Sequence, residues 1–223
     1  MSQELTIDFR LVEIALEITT LKEHITLIEE HISHATEEAM KKRDDGLRSL
    51  TSDSDYEYES DMLNFEYGYF TESFLPRVYR SPFIVGLFAV YETSVKEIAE
   101  LIGREKGLTV GLNTRGGNSD FLTKAIAHYR DVLGMELSRN EENLKRLEVL
   151  RNVRNVIAHN NGRFEMASEK QRQVLRMEKL ANGYGWILVP RAFLSEMHNV
   201  VNEELGELVA MYKAWDSDRN KNC

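Results

Sequence analysis

The sequence predicts an all-α protein, and three observations carry that prediction. Apolar residues recur at three- and four-residue steps through most of the chain. Only 3 prolines and 13 glycines interrupt its 223 residues. The remainder is rich in Glu, Leu, Lys, Arg and Ala, whose side chains lose little freedom in a helix. At 42% hydrophobic content there is enough apolar material for a real core, in one domain with extensions or in two small ones.

Each element follows from a local pattern. From Leu5 to about Arg43, the residues Leu11, Ile14, Ala15, Ile18, Leu21, Ile25 and Ile28 mark one face of a long amphipathic helix. The run Asp44-Asp45-Gly46 is expected to end it. The next stretch, TSDSDYEYESDMLNFEYGYFTESF, shows no clear period and has no Lys or Arg between Arg48 and Arg77. It reads as an acidic, Tyr- and Phe-rich connection, a surface loop. Pro76 and Pro82 precede FIVGLFAVYETSVKEIAELIG, a central buried helix that Gly103 should stop. A Gly/Asn/Thr loop then leads to Asn118, Ser119 and Asp120, each able to cap a helix reaching about Leu133.

Ser138 and Glu141 form an S-x-x-E capping box for the next helix, which Asn160-Asn161-Gly162 should terminate. Ser168 and Gln171 make a second box, for a helix to about Leu180. NGYGWILVP reads as a turn and a short edge strand, allowing one small β-hairpin near residues 162–190. A last amphipathic helix runs from about Arg191 to Trp215. The organisation is a long N-terminal helix (residues 1–50), the acidic connection (51–75) and a helical domain (76–223), with six helices in all.

Composition narrows the function. A formal net charge of −9 opposes nonspecific attraction to nucleic acid or anionic membrane, so any polyanion site must be a local patch. The single cysteine, Cys223, permits neither an intrachain disulfide nor a cysteine zinc site, which suits a reducing compartment. No stretch approaches the roughly 18 apolar residues of a membrane span, and the N-terminus does not resemble a signal peptide. A cytoplasmic protein without membrane attachment is expected.

The segment RNVRNVIAHNNG, residues 151–162, is the least scaffold-like part of the chain. On a helical wheel Leu147, Leu150, Val153 and Ile157 form the apolar face, and Lys145, Glu148, Asn152 and Asn155 lie opposite with His159 near them. Arg154 instead projects from the apolar arc, where a guanidinium needs a carboxylate, a phosphate or a subunit boundary as partner. His159 sits at the helix C-terminus, where the macrodipole favours positive charge. Between Arg139 and Lys179 there are ten Lys and Arg against six Asp and Glu, a local excess expected of a polyanion site. A purely structural reading stays open at this point, with Arg154 paired to a carboxylate such as Glu92 and His159 satisfying C-terminal carbonyls.

The stretch RNVIAH resembles the R-x4-6-H motif of HEPN domains, which has a polar residue directly after the Arg; Arg154, Asn155 and His159 match it. The resemblance extends to the Glu-bearing apolar helix LFAVYETSVKEIAELI and to HNNGRF, and spans residues 76–215. It implies an all-α, HEPN-like helical bundle that dimerises through the motif helix. It also implies, as in many members, a metal-independent endoribonuclease acting at a site shared between two chains, with no cofactor. In that reading Arg154 and His159 are catalytic, Asn155 orients groups, and Arg151 and Arg163 bind RNA phosphate. A toxin or phage-defence role, with an antitoxin or regulatory protein as partner, rests on the resemblance alone. Some toxin members carry a Tyr two positions beyond the His that a partner enzyme modifies; here Asn160 and Asn161 follow His159. The alternative is a non-catalytic HEPN-like module that binds proteins or nucleotides.

Other features carry less. His24, His31 and His34 with Glu30 and Glu38 match no metal-binding spacing and read as a polar helix face. TRGGNSD lacks the Lys of a phosphate-binding loop. YGWIL has a ring able to stack on bases, but reads first as an edge strand.

Overall fold

The computed structural model describes residues 9–50, 55–112, 120–137, 140–181 and 184–221. Among these it is all-α. The helices are α1 (Phe9–Ser49), α2 (Tyr56–Tyr69), α3 (Leu75–Glu105), α4 (Phe121–His128), α5 (Glu141–Asn160), α6 (Glu169–Met177) and α7 (Arg191–Lys221). A π-helical turn at Phe70–Phe74 joins α2 to α3 without a break, and another at Tyr129–Leu133 extends α4. Among the described residues the result is six α-helical stretches, as the pattern predicts, but with different limits.

Three of those limits correct the sequence reading. Helix α1 runs through Asp44-Asp45-Gly46 to Ser49. Gly46 lies beside Leu63 of α2, where an added Cβ would stand 3.5 Å from the leucine, so the glycine serves a close approach and not a stop. From Tyr56 on, the acidic segment is helical and not a loop. Its α2 buries no residue, which is why no apolar period shows in the sequence. Pro82 lies inside α3 instead of before it. An internal proline costs about 3 kcal/mol, whereas burying one large apolar side chain returns about 1.5–3 kcal/mol. Leu75, Phe83, Ile84 and Leu87 are all buried around it, so the helix continues.

Capping follows the local chemistry. Asp120 caps α4, its side chain accepting from Thr123 N at 3.1 Å, and Gly134 ends the following π turn in the left-handed region. Asn140 Oδ1 accepts from the backbone N–H groups of Glu142 (3.0 Å) and Asn143 (3.3 Å), so the cap of α5 is Asn140. Ser138, like Asn118 and Ser119, lies outside the described residues. The Ser168–Gln171 capping box is complete at the start of α6. The expected hairpin is reduced to two isolated antiparallel bridges, Arg163 with Trp186 and Ala181 with Ile187.

The chain divides into two compact units: Met1–Leu21 with Gly86–Arg151 and Glu196–Cys223, and Lys22–Val85 with Asn152–Ser195. The division falls within α1, α3, α5 and α7. In the first unit Leu87, Tyr91, Val95, Ile98, Ile102, Tyr129, Leu147 and Leu150 are almost wholly buried. The Tyr129 hydroxyl donates to Val95 O at 2.8 Å, and the His198 ring meets Ile18 O at 3.0 Å. Burial, reinforced by Glu204, pushes the Tyr91 phenol far above its ordinary range, so it stays protonated.

In the second unit Ile25, Ile28, Ile32, Phe83, Val153, Val156, Leu175 and Ile187 form the apolar interior. Arg80 ties three segments together there. Its Nε and Nη2 each donate to a carboxylate oxygen of Glu29 at 2.7 Å, and its Nη1 donates to Val189 O at 3.1 Å. Both side chains are largely buried, so the bidentate geometry offsets the desolvation of the charges.

Candidate active site

The second unit holds the C-terminal end of α5 and the turn leaving it. Helix α5 buries Leu147, Leu150, Val153 and Val156 completely, and also Asn143 and Asn152. Two details differ from the wheel. Asn152, assigned to the polar side, is buried, while Ile157, assigned to the core, is half-buried and lines a cleft. Lys145 and Glu148 lie on the more open side of the helix, as the wheel has them.

Arg154 is half-buried, as its place on the apolar arc requires, and its Nη1 donates to Asn155 Oδ1 at 2.9 Å. The first two residues of the motif are therefore one hydrogen-bonded pair. Glu92, the carboxylate considered for Arg154, accepts from Lys96 on its own helix at 2.7 Å.

His159 is exposed on the last turn. The helix end is closed by backbone: Gly162 N–H donates to Val156 O at 3.1 Å and Arg163 N–H to Asn160 O at 2.9 Å. Asn161 and Gly162 take φ of 50° and 72°, the left-handed geometry of such a stop. The capping role considered for His159 is thus filled by main chain.

The chain leaving the helix is pinned to a short return segment. Ile187 N–H donates to Gly162 O at 2.8 Å and Phe164 N–H to Gly185 O at 2.9 Å. That pairing sets Trp186 beside Arg163, whose guanidinium lies 4.9 Å from the indole centroid. Arg77 of α3 lies 3.8 Å from the same ring, within the range of a cation–π contact. Two guanidinium groups therefore share one aromatic ring. Arg163 was expected to meet phosphate; Arg77 and Trp186 join it by tertiary contact. Trp186 had a visible signal, an aromatic ring in an otherwise apolar strand-like run. Arg77 had only its position as the first cation after the acidic stretch.

A cleft of about 500 Å³ opens in this unit, lined by Arg77, Val78, Ser81, Pro82, Val85, Ile157, Asn161 and Gly162. Arg151 belongs to the first unit and is ion-paired with Asp120. Burial raises the Asp120 carboxyl, but the Arg151 and Thr123 hydrogen bonds outweigh it and hold its pKa below the ordinary value. An RNA phosphate would have to compete with that carboxylate for Arg151.

Among the described residues no group of three or more His, Cys, Asp and Glu is arranged to hold a metal ion. In the α1 cluster His24 meets the Phe83 ring edge-on and His31 the Tyr79 ring, while His34 faces Glu38 at 3.9 Å. No described helix is long and apolar enough to cross a membrane. No protein-family model, curated protein or solved structure matches the chain.

Proposed function

We propose that the protein is a metal-independent endoribonuclease of the HEPN type, cutting single-stranded or loop RNA at a site shared by two copies of the chain. The observation that supports it best is the state of His159: its ring is exposed at the mouth of α5, and the helix end it would otherwise cap is closed by backbone. Arg154, fixed by its bond to Asn155, and Arg163, stacked on Trp186, supply guanidinium groups in the same unit.

The chemistry needs only these groups. The 2′-oxygen attacks the adjacent phosphorus, one imidazole takes the 2′-hydroxyl proton, and the bond from phosphorus to the 5′-oxygen breaks. A second imidazole protonates that leaving oxygen, giving a 2′,3′-cyclic phosphate and a 5′-hydroxyl. Arg154 stabilises the charge that builds on the non-bridging oxygens. One chain carries one His159, and Arg154 and His159 are about 140° apart around an ideal helix. Two α5 helices, one from each protomer, satisfy both requirements.

The test is cleavage of labelled RNA in excess chelator. His159→Ala is expected to lower the rate by about 10²–10⁴-fold and Arg154→Ala by about 10²–10³-fold. No cleavage by the wild type, or full activity in both variants, refutes the reading. Sedimentation of a monomer at micromolar concentration refutes the shared site. A toxin or phage-defence role, and an antitoxin or regulatory partner, follow only from the family resemblance.

A second reading has its own observation. Helix α2 buries nothing and exposes Tyr58, Met62 and Phe65 along one face among carboxylates, which favours a protein-binding helical module.

A further inference from the structure

Helix α2 is seated by one side and open on the other. Leu63 lies beside Gly46 of α1, and Tyr67 and Phe70 line a cleft of about 560 Å³ with Ala35 and Ala39 of the same helix. On the opposite side Tyr58, Met62 and Phe65 are 70%, 49% and 58% exposed. Single apolar residues on a surface are ordinary, whereas a row of them marks a contact surface.

The spacing of that row, continued by Tyr69, is four, three and four residues, the alternation of the d and a positions of a coiled coil. At 100° per residue the four side chains fall within about 60° around the helix. Leu63, Tyr67 and Phe70 on the inward side blur this spacing in the sequence. At its C-terminal end the row meets Tyr184, whose ring centroid lies 6.3 Å from Phe65 and 5.0 Å from Tyr69, and which is itself exposed.

In the same register Glu59 and Glu66 take e positions and Asp61 a g position, the places that face the charges of a partner helix. All three are exposed, and no Lys or Arg lies between Arg48 and Arg77 to offset them. A second copy of α2 would set carboxylate against carboxylate in either orientation. RNA and an anionic membrane would meet the same repulsion. A helix with cations in these places satisfies both the apolar row and its flanks.

We infer that this face of α2 is one half of a coiled-coil contact that docks a basic amphipathic helix of another protein, with apolar residues at its a and d positions and Lys or Arg at e and g. The inference takes the protein-binding reading of α2 as its premise and gives the partner its chemistry; it does not involve His159. Two heptads make a small interface, so the contact is of the weak, exchanging kind.

The experiment titrates the full chain into three labelled three-heptad peptides, followed by fluorescence anisotropy. One has Leu at a and d and Lys at e and g, the second has Glu in place of Lys, and the third is a scramble of the first. The ordered basic peptide is expected to bind at micromolar concentration, with the scramble about tenfold weaker or more and the acidic peptide silent. Phe65→Ser combined with Met62→Ser should weaken binding about tenfold or more, the usual worth of central interface anchors. The exchange of Glu59, Asp61 and Glu66 to Lys should transfer binding to the acidic peptide. That is a gain of binding, which a misfolded variant does not show.

The scramble binding as tightly as the ordered peptide overturns the inference, because charge alone would then explain the contact. So does unchanged affinity in the Met62 and Phe65 variant. A wild-type dimer that this variant dissociates in sedimentation also overturns it, by making a second copy the occupant. Binding of the acidic peptide to the wild type overturns the stated chemistry and leaves a helix-binding module. Failure of both ordered peptides at millimolar concentration removes the module reading as well.

Discussion

Gly162 ends α5 at φ 72°, and a Cβ there would meet Ile187 Cγ1 at 3.5 Å, an ordinary contact. The dihedral, not crowding, is what requires glycine. Gly162→Ala is therefore expected to cost about 1–2 kcal/mol, read as a lower denaturation midpoint; an unchanged midpoint would mean the turn relaxes freely. This stop was legible in the sequence, because Asn-Asn-Gly after an apolar helix is local chemistry. The half-burial of Arg154 was legible for the same reason, since a helical wheel needs only its neighbours. The pairing of Arg77 and Arg163 on Trp186 was not, because those three residues meet only in the folded unit.

At the scale of elements, α6 shows how far short-range patterns reach. Both hydrogen bonds of its capping box are present, Gln171 N–H to Ser168 Oγ at 3.3 Å and Ser168 N–H to Gln171 Oε1 at 2.9 Å. Only Leu175 of this helix is buried, so the cap is a large part of what holds its first turn. Ser168→Ala should destabilise α6 by about 1 kcal/mol, seen as faster amide exchange in that helix; unchanged exchange would show that the cap is redundant. Boundaries set by tertiary packing were less legible. Gly46 and Pro82 carry the usual signs of a helix end, yet one admits Leu63 and the other is overridden by the apolar side chains around it. Helix α2 lacks a periodic signal because it has no buried face to produce one.

At the scale of the whole molecule, acid sensitivity has a specific origin. His128 is buried, its Nε2 has no hydrogen-bond partner, and burial pushes its pKa below the ordinary 6.5. The unfolded chain takes up this proton more readily than the folded one. The His128 contribution to stability is therefore complete above pH 6.5 and is lost as pH falls toward the folded value. Glu17 acts in the opposite sense, since burial, then Glu97 and Glu13, raise its carboxyl above 4.5, so the folded state gains by protonating it. Comparing the wild type with His128→Phe isolates the histidine. The variant should lose less stability on acidification below pH 6.5, measured as melting temperature against pH, and parallel curves would refute the assignment. No residue of α2 is buried, and its contacts with the fold are partial ones, such as Leu63 beside Gly46 and Tyr69 edge-on to Tyr184. Its outward positions, Tyr58, Met62 and the carboxylates among them, can therefore be rewritten with little penalty to the core. The acidic, aromatic surface of that helix bears on what the protein meets and not on how its core packs.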